Sequence, residues 1–373
     1  MTSRPLEIPE TSLSPRKILI IRLSAIGDVV FASPLIKACK SKWPQAEIFW
    51  LAEGAVVGLL EAHPDLAGIL VAPVRSWKEQ LRRGQWISLW RSIRDTRSTL
   101  RRQSFDLVLE VQGLVKSSFL AWLSGAQRRI GFRSKEPTAW FMSEQVGKDL
   151  GPRISSEYRA LAAYLGCDTD SFAMDIVVSD SAHEFARLVA EPGAYIALCP
   201  FTTRPQKHWP EAHWQALMDG LVAAGFRLLI MGGPADALQA QRLIGERAVD
   251  NLVGRASIAE SAAVIATASA VVGVDTGLTH MGFAHRVPTI ALFGSTRPYL
   301  EIGELPGAVL YKGLPCSPCR RRPTCDGRFD CLVDITPEEV VNSLKPWLLR
   351  GDEQEMHAGG VLASVPSYEE SEQ

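Results

Sequence analysis

No run of apolar residues approaches the 18 or so that a membrane-spanning helix needs. The N-terminal MTSRPLEIPETSLSPRK also lacks the apolar core of a secretory leader. Neither sign of charge dominates: 40 Lys and Arg face 41 Asp and Glu, a formal net charge of −1. That balance argues against a chain built to coat a polyanion. The G-x-G-x-x-G fingerprint of dinucleotide binding is missing, and seven cysteines in 373 residues are too few for a disulfide scaffold. What is there is 46% hydrophobic and 22% charged, a composition that excludes a disordered chain, a collagen or a coiled coil. It supplies apolar material for two domains of ordinary size. A cytoplasmic globular protein is expected.

The apolar runs alternate with helical patterns. KILIIRL (17–23), EIFWLAE (47–53), GILVAP (68–73) and FDLVLEVQG (105–113) have the length and continuity of buried parallel strands. Between them the pattern predicts helices from Asp28 to about Lys42, over 75–105 and over 114–125. The rhythm restarts with AYIALCP (194–200), FRLLIMGG (226–233), AVVGVD (270–275) and TIALFG (289–294). Helices are expected after Pro210, over about 235–248, behind a Ser257-x-x-Glu260 capping box, and over 276–285. Strand–helix alternation at this spacing implies α/β architecture with two Rossmann-like domains, their parallel sheets facing across a cleft. The expected division is a flexible arm over 1–14, domains over 15–178 and 179–350, and an acidic, disordered tail over 351–373 with six acids and no Lys or Arg.

Open α/β sheets bind ligands at the carboxyl ends of their strands, so the loops there are the candidates. In R-L-S-A-I-G-D (22–28), Asp28 stands near a helix start, as a cap or as a catalytic base. In F-T-T-R-P-Q-K-H-W-P (201–210), Thr202, Thr203 and Lys207 offer donors and a charge suited to a diphosphate, while His208 and Trp209 are expected to pack. V-D-T-G-L-T-H (274–280) places Asp275, Thr276, Gly277 and His280 at a further strand end. Asp236, after M-G-G-P-A, is a ribose ligand by analogy or a helix-dipole partner.

RLSAIGDVV, EVQGLVKS, TTRPQKHWP and VDTGLTHMGFA, in that order, resemble family 9 glycosyltransferases, the lipopolysaccharide heptosyltransferases, over about residues 17–345. EVQGLVKS and TTRPQKHWP look like the first heptosyltransferase of the inner core, and CSPCRRRPTCDGRFDCLVDITPEEV like the second. The resemblance implies a GT-B fold and an inverting, metal-independent transfer of L-glycero-D-manno-heptose from ADP-heptose to Kdo–lipid A, or to a core already bearing heptose. It implies no cofactor. It makes Asp28 the general base and Lys207 the stabiliser of the leaving diphosphate, with Ser24, Thr202, Thr203, Asp236, Asp275, Thr276, Gly277 and His280 around the donor. Asp236 stands where similar enzymes have Glu, and Ala25 replaces a Ser.

Residues 75–105 carry nine Arg or Lys against two acids. Beside an acceptor rich in phosphate and carboxylate, such a segment suits the anionic inner face of a membrane, so a peripheral position at the cytoplasmic face of the inner membrane is expected. Arg75, Lys116 and Lys135 are the residues expected to bind acceptor acids; the others have the ordinary alternative of a solvated helix face. Cys316, Cys319, Cys325 and Cys331 form C-x2-C-x5-C-x5-C, open to three readings: structural zinc, redox-sensitive thiols or plain packing. The cluster is read as lying outside the strand-end loops. Two other classes fit parts of the chain: a sugar-nucleotide epimerase of the same fold, or a non-catalytic binder using the 75–105 arginines.

Overall fold

A computed structural model describes residues 14–355. The chain divides into two compact units. One runs to Glu184 and takes in Ser257–Ala263 and Tyr299–Gly303; the other comprises Phe185–Ala256, Val264–Pro298 and the residues from Glu304 onward.

The first unit holds β1 (Lys17–Ile21), α1 (Ile26–Ala32), α2 (Pro34–Lys42), β2 (Glu47–Ala52), β3 (Leu66–Val71), α3 (Val74–Arg82), α4 (Trp86–Arg102), β4 (Leu107–Glu110), α5 (Val115–Leu123), β5 (Arg128–Phe132), β6 (Glu144–Val146) and α6 (Ser156–Tyr164). Then come α7 (Asp180–Ala190), β7 (Tyr195–Cys199), α8 (Glu211–Ala223), β8 (Arg227–Ile230), α9 (Ala237–Ile244), β9 (Val249–Asn251), α10 (Ile258–Ala266), β10 (Ala270–Val274), α11 (Gly277–Ala284), β11 (Thr289–Phe293), β12 (Gly307–Tyr311), α12 (Asp330–Val333) and α13 (Pro337–Glu355).

Each unit carries one six-stranded parallel sheet, ordered β3-β2-β1-β4-β5-β6 in the first and β12-β11-β10-β7-β8-β9 in the second. Strand order reverses between β1 and β4, and between β10 and β7. These are the switch points where neighbouring loops leave the sheet in opposite directions and open a crevice. The central strands β4, β7 and β10 are buried at every position, which is why their apolar runs are continuous rather than alternating. Leu19, Ile21, Val108 and Leu120 centre the first core, and Ile196, Leu198, Trp209, Trp214, Val272 and Leu332 belong to the second.

Several expected elements differ in the structure. The helix expected over 28–42 is two helices, because Pro34 has no N–H to continue α1 and starts α2 instead. Ser33 at the junction turns its hydroxyl back to the Val30 carbonyl, 2.7 Å away. The 75–105 helix is likewise two, α3 and α4, parted at Gly84, whose φ of +67° suits only glycine well. The helix expected over 235–248 starts at Ala237, after a short 3-10 turn, and ends at Ile244. The Ser257–Glu260 box forms as expected, with Ser257 N–H donating to Glu260 (2.7 Å) and Glu260 N–H to Ser257 Oγ (3.2 Å). β5, β6, β9 and β12 were not expected. The segment 351–355, expected in the tail, continues α13. The rest of that tail, and the expected arm apart from Ser14, lie outside the described residues. No helix among the described residues is long and apolar enough to cross a membrane.

Asp175 ties the segment that leaves the first unit to α2. Its N–H donates to Ser33 Oγ (2.8 Å), and its carboxylate pairs with Lys37 (2.8 Å) and His63 (3.0 Å). The hydrogen bond from His63, with Lys37 beside it, lowers the carboxyl to about 2. A carboxyl depressed in the folded state stabilises it above the ordinary carboxylate pKa, and that contribution is lost as pH falls from about 4 to about 2. With partial exposure discounted, the contribution is about 1 kcal/mol. Urea unfolding of Asp175→Asn should therefore show about 1 kcal/mol less stability at pH 7 and a shrinking deficit towards pH 3.

Candidate active site

At the end of β1 the chain buries Arg22. Burial alone would lower its pKa, but the Asp28 carboxylate beside it holds the guanidinium charged and above its ordinary range. A buried guanidinium needs acceptors. Nη1 donates to the Val111 carbonyl at the end of β4 (2.8 Å), and Nη2 pairs with Asp28 Oδ2 in the first turn of α1. Leu23 N–H donates to Gln112 Oε1 (3.1 Å), so the loops at the first switch point are bound to each other.

Asp28 Oδ2 also accepts a long hydrogen bond from Ala25 N–H (3.4 Å), the capping role that the sequence allows. Yet its side chain is 43% exposed, and Oδ1 has no partner among the described residues. One oxygen is anchored and the other is uncommitted on a partly exposed side chain, a disposition that can accept a proton. Ser24, half-buried, lies on the same loop.

Beneath this loop Glu110 is fully buried. Burial raises its carboxyl, against hydrogen bonds from Gly113 and Gln112. The Gln112 and Gly113 N–H groups reach its Oε1 at 3.0 and 2.9 Å, which fixes the turn that presents Gln112.

The three expected acceptor-binding cations all follow strand ends of the same sheet. Lys116 is in the first turn of α5 and pairs with Glu53, 2.9 Å away, whose own N–H donates to the Leu23 carbonyl. Lys135 is exposed on the loop after β5, where Ser134 Oγ binds the Gly113 carbonyl (2.6 Å) and Glu136 accepts the N–H of Val115 (2.7 Å). Arg75 is exposed in the first turn of α3. A cavity of about 510 Å³ in this unit, lined by Leu70, Val71, Ser88, Arg91, Asp95 and Thr99 among others, is lined by none of the candidate residues.

In the second unit the two loops of the switch point meet directly. Lys207, in the short 3-10 turn Pro205–Lys207, places Nζ 2.7 Å from Asp275 Oδ2 at the end of β10. His280, buried in α11, holds Asp275 Oδ1 at 3.1 Å, and Thr296 Oγ1 binds Oδ2. Burial works to raise the Asp275 carboxyl, but His280 and Lys207 overcome it and hold it far below the usual carboxylate range. Asp275 is thus an ionised anchor with both oxygens engaged, unsuited to taking a proton. Lys207 spends one of its three donors on that anchor and keeps others for an anion.

Thr276 occupies the N-cap position of α11 without a side-chain capping bond, and Gly277 is the first residue of the helix. α11 can lie on β10 because residue 273 is glycine: a Cβ there would stand 2.0 Å from Thr279 Oγ1. Thr202 is half-buried, with its carbonyl bound by His208 Nε2 (2.9 Å), and Thr203 is exposed. Trp209 packs, donating to the Ile335 carbonyl (2.8 Å). Asp236 Oδ2 accepts the Gly233 N–H (2.8 Å), so the carboxylate caps its own turn.

The cysteine segment is not remote from these loops, contrary to the sequence reading. Arg320 N–H donates to the Ser295 carbonyl (2.6 Å), Gln206 Nε2 to the Arg320 carbonyl (2.9 Å), and Ser317 Oγ to the Gly294 carbonyl. It braces the neighbours of both Lys207 and Thr296. Cys325 and Cys331 are buried and Cys316 exposed, all as free thiols. Burial and the other three thiols push Cys331 up to about 11. Among the described residues no three His, Cys, Asp or Glu side chains are placed to hold a metal ion.

Sequence reasoning passed over Arg22, Glu110, Gln112, Gln206 and Thr296. It also passed over a D-x-D, Asp168–Thr169–Asp170, which forms an exposed turn in which Asp168 Oδ1 accepts the Asp170 N–H (2.9 Å).

Two parallel α/β sheets, each with charged loops at its switch point, are the framework of the GT-B class, and comparison with known proteins identifies the chain as a glycosyltransferase of that class. The family model "Glycosyltransferase family 9 (heptosyltransferase)" matches residues 93–327, and the chain belongs to that family. It is 29% identical to lipopolysaccharide heptosyltransferase 1 of Pseudomonas aeruginosa, with 89% of this chain and 98% of that one covered. It is 23% identical to lipopolysaccharide heptosyltransferase 2 of Escherichia coli, over 90% and 99% of the two chains. Among solved structures, E. coli heptosyltransferase WaaC with ADP-2-deoxy-2-fluoro heptose superposes with a TM-score of 0.68 at 26% identity, covering 90% of this chain and 99% of that one.

Proposed function

We propose that this protein is an inverting, metal-independent heptosyltransferase that moves L-glycero-D-manno-heptose from ADP-heptose to the Kdo–lipid A inner core. The observation that carries the reading is the Lys207–Asp275–His280–Thr296 cluster at the switch point of the second sheet. It supports a diphosphate site, and the likeness to a structure holding an ADP-heptose analogue points to which diphosphate. In this reading the acceptor hydroxyl oxygen attacks the anomeric carbon as Asp28 Oδ1 takes its proton. The bond from the anomeric carbon to the diphosphate oxygen breaks on the opposite face, and ADP leaves with its new charge met by Lys207 and the Thr202–Thr203 loop. One displacement inverts the centre. Ser24, Asp236, Thr276, Gly277 and His280 complete the donor surroundings; Arg75, Lys116 and Lys135 meet the acids of the acceptor. The protein works peripherally at the cytoplasmic face of the inner membrane, where a lipid-borne acceptor lies.

The test is ADP release from ADP-heptose offered with Kdo–lipid A or with the same core already bearing heptose. Release with the first acceptor is expected. The cysteine segment supports a second reading, an enzyme of the heptosyltransferase 2 type, and release only with the heptosylated core would establish that one instead. Firm ADP binding with no release in either case would overturn the donor assignment.

A further inference from the structure

The apolar side chains of α4 serve two surroundings. Leu100 is buried in the first unit's core, and Ile93 packs against that core with Trp77. Trp86, Ile87 and Trp90 on the same helix are 65%, 70% and 61% exposed, and Leu81 at the end of α3 is half exposed. One exposed apolar residue is ordinary; four between positions 81 and 90, two of them tryptophans, make a patch that folding of this unit does not require.

The surroundings of the patch are cationic. Arg75, Lys78, Arg82, Arg83, Arg91, Arg94 and Arg97 flank it, with Glu79 and Asp95 as the acids of the same stretch. Glu79 is taken by Arg83 (2.6 Å) and Asp95 by Arg94 (3.3 Å). Arg75, Lys78, Arg82, Arg91 and Arg97 have no carboxylate partner among the described residues. Arg94 lies over the Trp90 ring, 5.3 Å from its centre. Exposed Val71, together with Arg91, also lines the cavity between α4 and the β3 edge.

We propose that the α3–α4 hairpin docks the protein onto an anionic phospholipid bilayer, with Trp86, Ile87 and Trp90 seated at headgroup level and the surrounding arginines on lipid phosphates. Indole rings favour that layer because one end is apolar and the other can donate. Long cationic side chains can lie along the apolar layer and still reach phosphate, and unpaired cations are drawn to an anionic surface. A second copy of this chain is the poorer occupant, because a two-fold contact would set the same arginines against each other. Nucleic acid offers no apolar layer for Ile87. The purpose of docking rests on the proposed acceptor being lipid-borne, but vesicle binding is measured without any transfer reaction.

The test is co-sedimentation of the full chain with phosphatidylcholine vesicles, with and without phosphatidylglycerol, for wild type, Trp86→Ser/Trp90→Ser and Trp140→Ala. Trp140 is an exposed tryptophan elsewhere in the unit. Expected are binding that requires the anionic lipid and fades with salt, a loss of about ten-fold or more in the double variant, and no change in Trp140→Ala. ADP binding should be the same in all three proteins, which shows that each is folded. No binding to anionic vesicles, equal binding to both lipids, or full binding by the double variant would overturn the proposal. A drop in molecular mass of the double variant would overturn it too, and would assign the patch to a protein contact.

Discussion

Asp28→Ala is expected to lower acceptor-dependent ADP release by about 10²- to 10⁴-fold, the range seen when a positioned general base is removed. The proposed diphosphate ligands, Lys207 and the Thr202–Thr203 loop, stand in the second unit, so ADP affinity should be unchanged. The substitution also takes from buried Arg22 its carboxylate partner. Arg22 is buried and keeps only the Val111 carbonyl among the described residues, so that loss should cost about 2–4 kcal/mol, several degrees in Tm. The pair of readouts separates the two roles open to this residue. If Asp28 only capped α1 and held Arg22, its removal would cost the same stability and leave turnover within a few-fold of wild type. Asp28→Asn sharpens the distinction: the amide oxygen can still accept from Arg22 and Ala25, but the side chain cannot take a proton. A base predicts that Asn is as inactive as Ala and more stable; a cap predicts that Asn is nearly normal in both.

Which parts of the molecule were readable depends on how much of its surroundings each residue announces. β4, β7 and β10 are covered on both faces, so each writes a continuous apolar run that can be recognised without knowing its neighbours. β6, β9 and β12 are half-buried throughout or nearly so. EQV and VDN carry neither a run nor alternation, and only pairing with an inner strand makes them strands, whereas GAVLY holds a short apolar run that could be recognised. The helix breaks were readable in principle, since Pro34 and Gly84 stand in plain sight and the amphipathic pattern merely runs across them.

In the candidate site, Asp28, Lys207, Asp275 and His280 were found because they follow strands, where open sheets place their ligands. Applied to β11, the same rule would have found Thr296, two residues past Gly294. Arg22 was hidden by being counted within its strand. A single guanidinium inside a seven-residue apolar run has to be buried or be the end of the strand, and a buried one needs a carboxylate within reach. Asp28 is the acid six residues on. What no local pattern announces is that Lys207 and Asp275, 68 positions apart, share an ion pair. That follows from the order of strands, which sets β7 beside β10.

The Lys207–Asp275 pair carries the other large effect. Lys207→Ala removes the cation assigned to the departing diphosphate, and kcat should fall by about 10²- to 10³-fold, as it does when one preorganised donor to a developing oxyanion is deleted. It also leaves the buried Asp275 carboxylate with His280 and Thr296 alone. Two good partners remain, so the cost in stability should be about 1–2 kcal/mol rather than that of an orphaned charge. Lys207→Arg keeps the charge but replaces a compact ammonium, seated 2.7 Å from Asp275, with a longer planar fork. It should recover most of the stability and only part of the rate. Asp275→Asn completes the argument from the other side, for it leaves Lys207 in place and removes the carboxylate that aims it. If Lys207 acts on the leaving group and Asp275 only holds it there, Asp275→Asn should raise KM for ADP-heptose and lower kcat less than Lys207→Ala does. Equal loss in both variants would mean instead that the ion pair acts as one unit, with the position of the ammonium mattering as much as its charge.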